Sequence, residues 1–316
     1  MFNDEEGFIP MTSKEATLHD AIAEFVVDGD VVALEGFTHL IPFAAGHEII
    51  RQHKRELTLV RMTPDIIADQ LVGAGCVSKL IFAFMGNSSV GSLYAVRRAI
   101  EAGSGSPIEI EEYSHYGLLA RYQAGASGIP FMPIRSYAGS ALADINPNIK
   151  KIPSPFDDES EIYVVPPLNP DVAIIHAQRA DRSGNIQSWG ILGPQQEVAF
   201  AARKTIAIVE EIVDDDVIRS DPNRTIVPGF VVDAVVESKY GAHPSFAQGY
   251  YDRDNDFYRS WSAISRDPEA LKQWIQEWIH DTEEHAGYLE KLGKGYFEPL
   301  TPLPHMSTPV NYGSVR

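Results

Sequence analysis

Four short stretches concentrate the small and polar residues that acyl and phosphate groups bind to: Glu35-Gly36-Phe37-Thr38-His39, Gly86-Asn87-Ser88-Ser89, Ser114-His115 and Gly139-Ser140. Backbone N–H groups at strand-to-helix turns, beside a helix N-terminus, can hold a carboxylate or a phosphate. The glycines also have a plain structural use, since they allow tight turns and close packing. Glu35 brings a carboxylate to the lip of a strand, as a nucleophile, as an acid or base, or as an anchor for turn amides. His39 and His115 can each donate to an acyl oxygen or cap a helix. Arg135 closes a strand and can meet a carboxylate in a bidentate fork or join an ordinary ion pair.

Other chemistries lack their signatures. His39, His115, His176 and His243 fall in no H-E-x-x-H or similar close spacing, so no metal site is expected. No G-x-x-x-x-G-K-[ST] occurs, and no G-x-G-x-x-G follows the first strand, which disfavours a P-loop or a Rossmann dinucleotide site. No G-x-S-x-G elbow is present. Gly103-Ser104-Gly105 and Gly125-Ala126-Ser127-Gly128 each follow a helical stretch, where glycine ends helices.

These turns need elements to hold them. Ala21, Ile22, Phe25 and Val26 recur at helical spacing after Thr17, and Asp28-Gly29 stops the run. Val31-Val32-Ala33-Leu34 is a short continuous apolar run of the kind a buried parallel strand carries. A second helix is expected through His47, Ile49 and Ile50. The unit recurs: strands at 57–62, 80–84 and 108–113, each followed by a helix, and further strands at 172–177, 205–209 and 231–236. Strands alternating with helices predict an α/β fold with one open, mostly parallel sheet covered by helices on both faces. In such sheets ligands bind beyond the carboxyl ends of the strands, where the four turns belong. Residues 144–170 hold six prolines and the acidic Asp157-Asp158-Glu159, and are expected to cross the surface as one long excursion. Residues 268–292 are expected to be helical, with Trp274, Ile275, Trp278 and Ile279 on one side.

Composition narrows the setting. The chain has 316 residues, 44 acidic and 26 basic, for a net charge of −18. Nucleic acid is an unsuitable general partner, because that affinity comes from lysine and arginine neutralising phosphates. The apolar share of 44% is that of a globular protein, and no apolar run reaches the roughly 20 residues that span a bilayer. One cysteine, Cys76, can form no internal disulfide. The acidic start is unlike a secretory leader. A soluble protein of the cytoplasm is expected.

The residues also carry a resemblance. Asp28-Gly29-Asp30-Val31-Val32-Ala33-Leu34-Glu35-Gly36-Phe37 resembles the A-subunit signature of the two-subunit family I coenzyme A transferases, which starts Asp-Gly and ends Gly-Gly-Phe. Glu35 replaces the first glycine of that pair, and Pro42 sits one place early. Further blocks agree in order: 57–64 (LTLVRMTP), 73–76 (GAGC), 124–130 (AGASGIP), 137–140 (YAGS), 176–184 (HAQRADRSG), 189–193 (WGILG), 209–215 (VEEIVDD) and 241–244 (GAHP). They are similar to A subunits of the 3-oxoadipate and glutaconate type. The resemblance covers residues 17–285 as one main domain, with an N-terminal extension at 1–16 and a C-terminal tail at 286–316.

That resemblance implies a mechanism. A glutamate attacks an acyl-CoA thioester, forms a mixed anhydride, and is captured by the CoA thiolate before a second acid takes over the CoA. In the family this glutamate lies in a Ser-Glu-Asn-Gly motif of the B subunit, and no such motif occurs here. A B-subunit partner is therefore implied, in an A2B2 heterotetramer, with Glu35 the substitute candidate within this chain. No tightly bound cofactor is implied, only coenzyme A thioester as substrate. Gly36, Phe37, Thr38 and His39 match the signature turn and are the first candidates for the acyl and CoA edge. Gly86, Asn87, Ser88 and Ser89 follow by strand-end position, as do Ser114 and His115. His115 or Arg135 would take the distal carboxylate of a dicarboxylic acid. The implied reaction moves CoA from succinyl-CoA to 3-oxoadipate in aromatic-compound breakdown. Transfer to glutaconate or another short dicarboxylate, a ring-opening hydrolase acting on CoA-linked fragments, and a non-catalytic CoA-binding protein are the alternatives.

Overall fold

The computed structural model describes residues 13–87, 90–101, 107–156 and 161–302. Ser88, Ser89, Gly103-Ser104-Gly105 and Asp157-Asp158-Glu159 lie outside them. The strands in chain order are β1 (Val31–Glu35), β2 (Leu57–Arg61), β3 (Val77–Phe82), β4 (Glu109–Glu112), β5 (Met132–Ile134), β6 (Lys150–Pro153), β7 (Glu161–Val165), β8 (Val172–Asp181), β9 (Ile186–Gln187), β10 (Lys204–Val213), β11 (Thr225–Val227) and β12 (Ala234–Glu237). The helices are α1 (Leu18–Phe25), α2 (Phe43–Arg51), α3 (Ile66–Gly73), α4 (Tyr94–Glu101), α5 (His115–Ser127), α6 (Leu142–Ile145), α7 (Gln195–Ala201), α8 (Asp215–Ser220), α9 (Asn255–Arg266), α10 (Pro268–Ile275) and α11 (Glu284–Leu292).

The main sheet is mostly parallel, in the order β12-β10-β8-β1-β2-β3-β4. Its central strands are apolar on both sides because both sides are covered. Val32, Leu34, Val172, Ile174, Ile206 and Ile208 face α1–α4, α9 and α10. Ala33, Ala173, Ile175, Ala207 and Val209 face α5, α7 and a second sheet. Each fully buried large aliphatic side chain is worth roughly 1.5–3 kcal/mol, so these two layers hold the strands in register.

Local signals set the helix ends. Thr17 caps α1 by accepting from the Asp20 N–H at 3.0 Å, and Ser114 caps α5 by accepting from the Gly117 N–H at 3.0 Å. Gly128, with φ 64°, ends α5 in the left-handed conformation that glycine adopts freely. The 268–292 stretch is helical as expected but divided into α10, a π-helical turn over Gln276–His280, and α11.

Two features depart from the sequence reading. The stretch at 144–170 is not one irregular excursion: β6 and β7 lie within it and join β5 in a three-stranded antiparallel sheet. The prolines sit where a ladder tolerates them, Pro153 as the last residue of β6 and Pro166-Pro167 just past β7. The strand at 172–177 also runs on to Asp181. β1 pairs only with its first half, through Ile175, while β9 pairs antiparallel with Arg179 and Ala180. β8 therefore outruns β1 at the carboxyl edge and carries the paired β9 and β11 past it.

The two sheet margins differ. Residues 14–16 run along β12, where the Ala16 N–H donates to the Val235 carbonyl at 2.9 Å. Among the described residues no strand pairs with the outer side of β4. That strand reads Glu109-Ile110-Glu111-Glu112, with Glu109 exposed and Glu111 held by Lys79 and Arg121, both at 2.7 Å.

Candidate active site at the carboxyl edge of the sheet

The turn after β1 is tight by necessity. A Cβ on Gly36 would stand 2.3 Å from the Leu40 carbonyl oxygen, so only glycine fits. Thr38 and Leu40 both take positive φ, 58° and 53°, a conformation that costs energy for such residues and needs its surroundings to hold it. The 245–248 segment does so: Ser245 Oγ donates to the Thr38 carbonyl at 3.0 Å and the Leu40 N–H to the Phe246 carbonyl at 2.9 Å.

His39 is fully buried in this turn. The Gln248 N–H can only donate, so Nε2 accepts it at 2.9 Å and Nδ1–H donates to the Ile191 carbonyl at 2.9 Å. The ring is neutral, and burial lowers its pKa to about 4. Both nitrogens are spent on the protein, stapling the β1 turn to the 188–194 loop and the 245–248 segment.

Glu35, the last residue of β1, is likewise buried. Its carboxylate accepts from Tyr122 Oη at 2.8 Å and from the Met62 N–H at 3.0 Å, with the Gly36 N–H as a third donor. Burial pushes its pKa up to about 7, against the opposing pull of the Arg61 guanidinium and these donors. Arg61 is itself buried, donating to the Leu34 carbonyl at 2.7 Å and standing 3.3 Å from Asp65.

In front of these anchors lies a cleft of ≈ 450 Å³, within the range of small-molecule sites. Phe37 enters it from the β1 turn, Met62 from the end of β2, and His115, Tyr116 and Leu119 from α5. Leu192, Gly193, Pro194 and Glu197 close it from the loop before α7 and that helix's first turn. A Cβ on Gly193 would stand 2.8 Å from Phe37 Cβ, so this glycine lets the loop lie against Phe37. The walls are mostly apolar, with His115, Tyr116 and Glu197 as polar side chains. The His115 ring stands edge-on to Phe37, centroids 5.9 Å apart, and near Phe84 at 6.4 Å.

Of the expected site residues, Phe37 and His115 thus meet in one cleft, with Gly36 and Thr38 in the turn that carries Phe37. Ser114 is the cap of α5, its own N–H donating to Tyr137 Oη at 3.2 Å. Gly86 lies beside Phe84. Asn87 is buried and ties its loop to α9 by donating to the Tyr258 carbonyl at 2.7 Å. Arg135 is exposed just past β5, outside the residues that line the cleft, and Gly139-Ser140 form the turn before α6.

Met62, Tyr116, Leu119, Leu192, Gly193, Pro194 and Glu197 escaped the sequence reading. The usable signal for the last group was Trp189-Gly190-Ile191-Leu192-Gly193-Pro194, a glycine-bearing turn before a helix like the others. Its placement follows from Trp189, whose ring meets the guanidinium groups of Arg179 and Arg224 at 5.5 and 4.9 Å and whose Nε1 donates to the Gln248 carbonyl at 3.1 Å. His176 and His243 lie elsewhere as buried partners of Glu210 (2.7 Å) and Asp254 (3.0 Å). Among the described residues no three of His, Cys, Asp or Glu lie close enough to hold a metal ion, and no helix is long and apolar enough to cross a membrane.

This architecture has relatives. Residues 15–238 match the family described as Coenzyme A transferase. The chain is 52% identical to the A chain of the 3-oxoadipate CoA-transferase of Pseudomonas knackmussii, over 88% of this chain and 98% of that protein. It is 38% identical to the A chain of the glutaconate CoA-transferase of Acidaminococcus fermentans, over 92% and 96% of the two chains. The crystal structure of glutaconate coenzyme A-transferase from the same organism superposes with a TM-score of 0.88 at 37% identity, covering 92% of this chain and 96% of that one. A mostly parallel sheet with its cleft at the carboxyl edge, matched along nearly the whole chain, makes this protein an enzyme chain of the coenzyme A transferase family.

Proposed function

We propose that the chain is one half, the A-type half, of a two-chain transferase that moves coenzyme A from succinyl-CoA to 3-oxoadipate. The observation that carries this reading is the 52% identity to the A chain of a 3-oxoadipate CoA-transferase across 98% of that relative's length. The cleft fits the role. Apolar walls from Phe37, Leu119, Leu192 and Pro194 suit the methylene run of a six-carbon acid, and His115 at the rim suits a terminal carboxylate.

The proposed chemistry needs a carboxylate that can reach a thioester. It attacks the carbonyl carbon, expels CoA thiolate and leaves a mixed anhydride. The thiolate then attacks the glutamyl carbonyl and releases the first acid, so that the second acid can repeat the exchange in reverse. Glu35 is enclosed, and its carboxylate is held by three donors, from Tyr122, Met62 and Gly36. We therefore assign the nucleophile to a partner B subunit seated over the cleft, in an A2B2 assembly in the cytoplasm. A dry site protects the anhydride from water, and backbone donors at the sheet edge, each worth about 3 kcal/mol, would hold the tetrahedral states.

The test is to coexpress the two chains, supply succinyl-CoA with 3-oxoadipate, and trap the acyl-enzyme with hydroxylamine or borohydride. Activity only in the mixture, with the label on the partner, is the expected result. A label on Glu35 or Glu197 would overturn the assignment of the nucleophile. A preference for glutaconate would instead support the second reading, which rests on the 0.88 structural match.

A further inference from the structure

We propose that Glu35 is a positioning residue of the cleft, one carboxylate that sets the mutual placement of three wall-bearing segments. The inference rests on the cleft being the acyl site proposed above, but its geometry stands alone. Glu35 belongs to the strand whose turn carries Phe37, two residues on. It accepts the N–H of Met62, whose side chain forms the neighbouring wall. It accepts the hydroxyl of Tyr122 on α5, the helix that presents His115, Tyr116 and Leu119. Tyr122 lies three residues beyond Leu119 and seven beyond His115, so all three fall along one side of the helix. The β1 turn, the end of β2 and α5 thus converge on a single side chain at the back of the site.

A carboxylate suits this junction because everything aimed at it donates: an O–H and two N–H groups. A glycine here, as in the resembled signature, would leave Tyr122 Oη and the Met62 N–H without this acceptor in a fully buried place. Glu35 thereby accounts for a departure from the family pattern that the transfer chemistry does not use.

The experiment uses the assembled two-chain enzyme with three variants. Glu35→Ala removes all three links and should raise KM for the carboxylic acid about tenfold, as misplaced walls do. Tyr122→Phe removes only the α5 link and should raise KM by a smaller factor of about three. Glu35→Gln keeps an acceptor for Tyr122 and Met62 and should restore KM to within about twofold of wild type. Amide hydrogen exchange over residues 57–64 and 114–122 gives a readout independent of turnover. Glu35→Ala should speed exchange in both segments and Tyr122→Phe in the second, with Glu35→Gln protected in both. Unchanged exchange in either segment of Glu35→Ala, or variants that lose thermal stability with KM unmoved, would overturn the proposal. If the wild-type pair transfers no CoA, the functional reading fails while the exchange data still decide the positioning claim.

Discussion

The turns after β1 and after β4 stand at the same edge of the sheet, and each offers a histidine, yet they are built in opposite ways. His39 is buried, with both ring nitrogens engaged and φ positive on either side of it. His115 is exposed at the mouth of the cleft, touching Phe37 and Phe84 by its ring, and neither nitrogen is hydrogen-bonded among the described residues. The first turn is a clamp and the second an open face of the cleft. A position at a strand end tells where a side chain will be; burial and partners decide whether it is available to a ligand.

The contrast can be broken most forcefully at the clamp. His39→Ala leaves the Ile191 carbonyl and the Gln248 N–H unpartnered inside the protein and opens a cavity, for a combined loss of about 3–5 kcal/mol. Urea unfolding would measure it, and a loss under about 1 kcal/mol, the size of a single ordinary hydrogen bond, would mean that the clamp is not one.

Acid sharpens the same comparison. Burial lowers His39 to about 4, His47 to about 3 and His285 to about 4. Their folded values lie below the unfolded 6.5, so the stability tied to the neutral rings is complete above about pH 6.5 and is lost as pH falls toward about 4. Each unit of separation is worth about 1.4 kcal/mol. Glu35 has the opposite sign: its folded value of about 7 exceeds the unfolded 4.5, so its contribution is complete below 4.5 and is lost as pH rises through 7. Unfolding free energies followed from about pH 8 to about pH 4 should fall on the acid side, and a flat profile would contradict the buried-histidine account.

The smallest structural effect belongs to the open turn. His115→Ala should change stability by no more than about 0.5 kcal/mol, as exposed substitutions do, and raise KM for the dicarboxylic acid severalfold more than KM for the acyl-CoA. Equal kinetics for both substrates would remove His115 from the site.

The sheet was legible because its strands are continuous apolar runs bounded by turn residues, a pattern that buried parallel strands require. Val31-Val32-Ala33-Leu34 and its repeats mark the carboxyl edge, and hence the neighbourhood of Phe37 and His115, in the sequence itself. Long-range packing was not legible. Proline and acidic residues at 144–170 read as loop because β6 and β7 are short and gain stability only from pairing, with each other and with β5. The wall formed by Leu192, Gly193 and Pro194 depends on how far β8 outruns β1, a length that only the partners β10 and β9 fix. The interior role of His39 was hidden for a similar reason: its acceptor and donor come from residues 191 and 248, far along the chain.

The unpaired margin at β4 has a consequence for handling the protein. Two copies meeting strand to strand there would crowd the carboxylates of Glu112 and of Glu109, which shares Lys79 at 2.8 Å, and would have to displace Asn146 Nδ2 from the Glu112 carbonyl at 2.8 Å, so charge and a side-chain cap together guard the ladder. Asn146→Ala combined with Glu112→Gln removes both guards and should therefore drive the chain toward β-rich aggregates, which thioflavin fluorescence would follow.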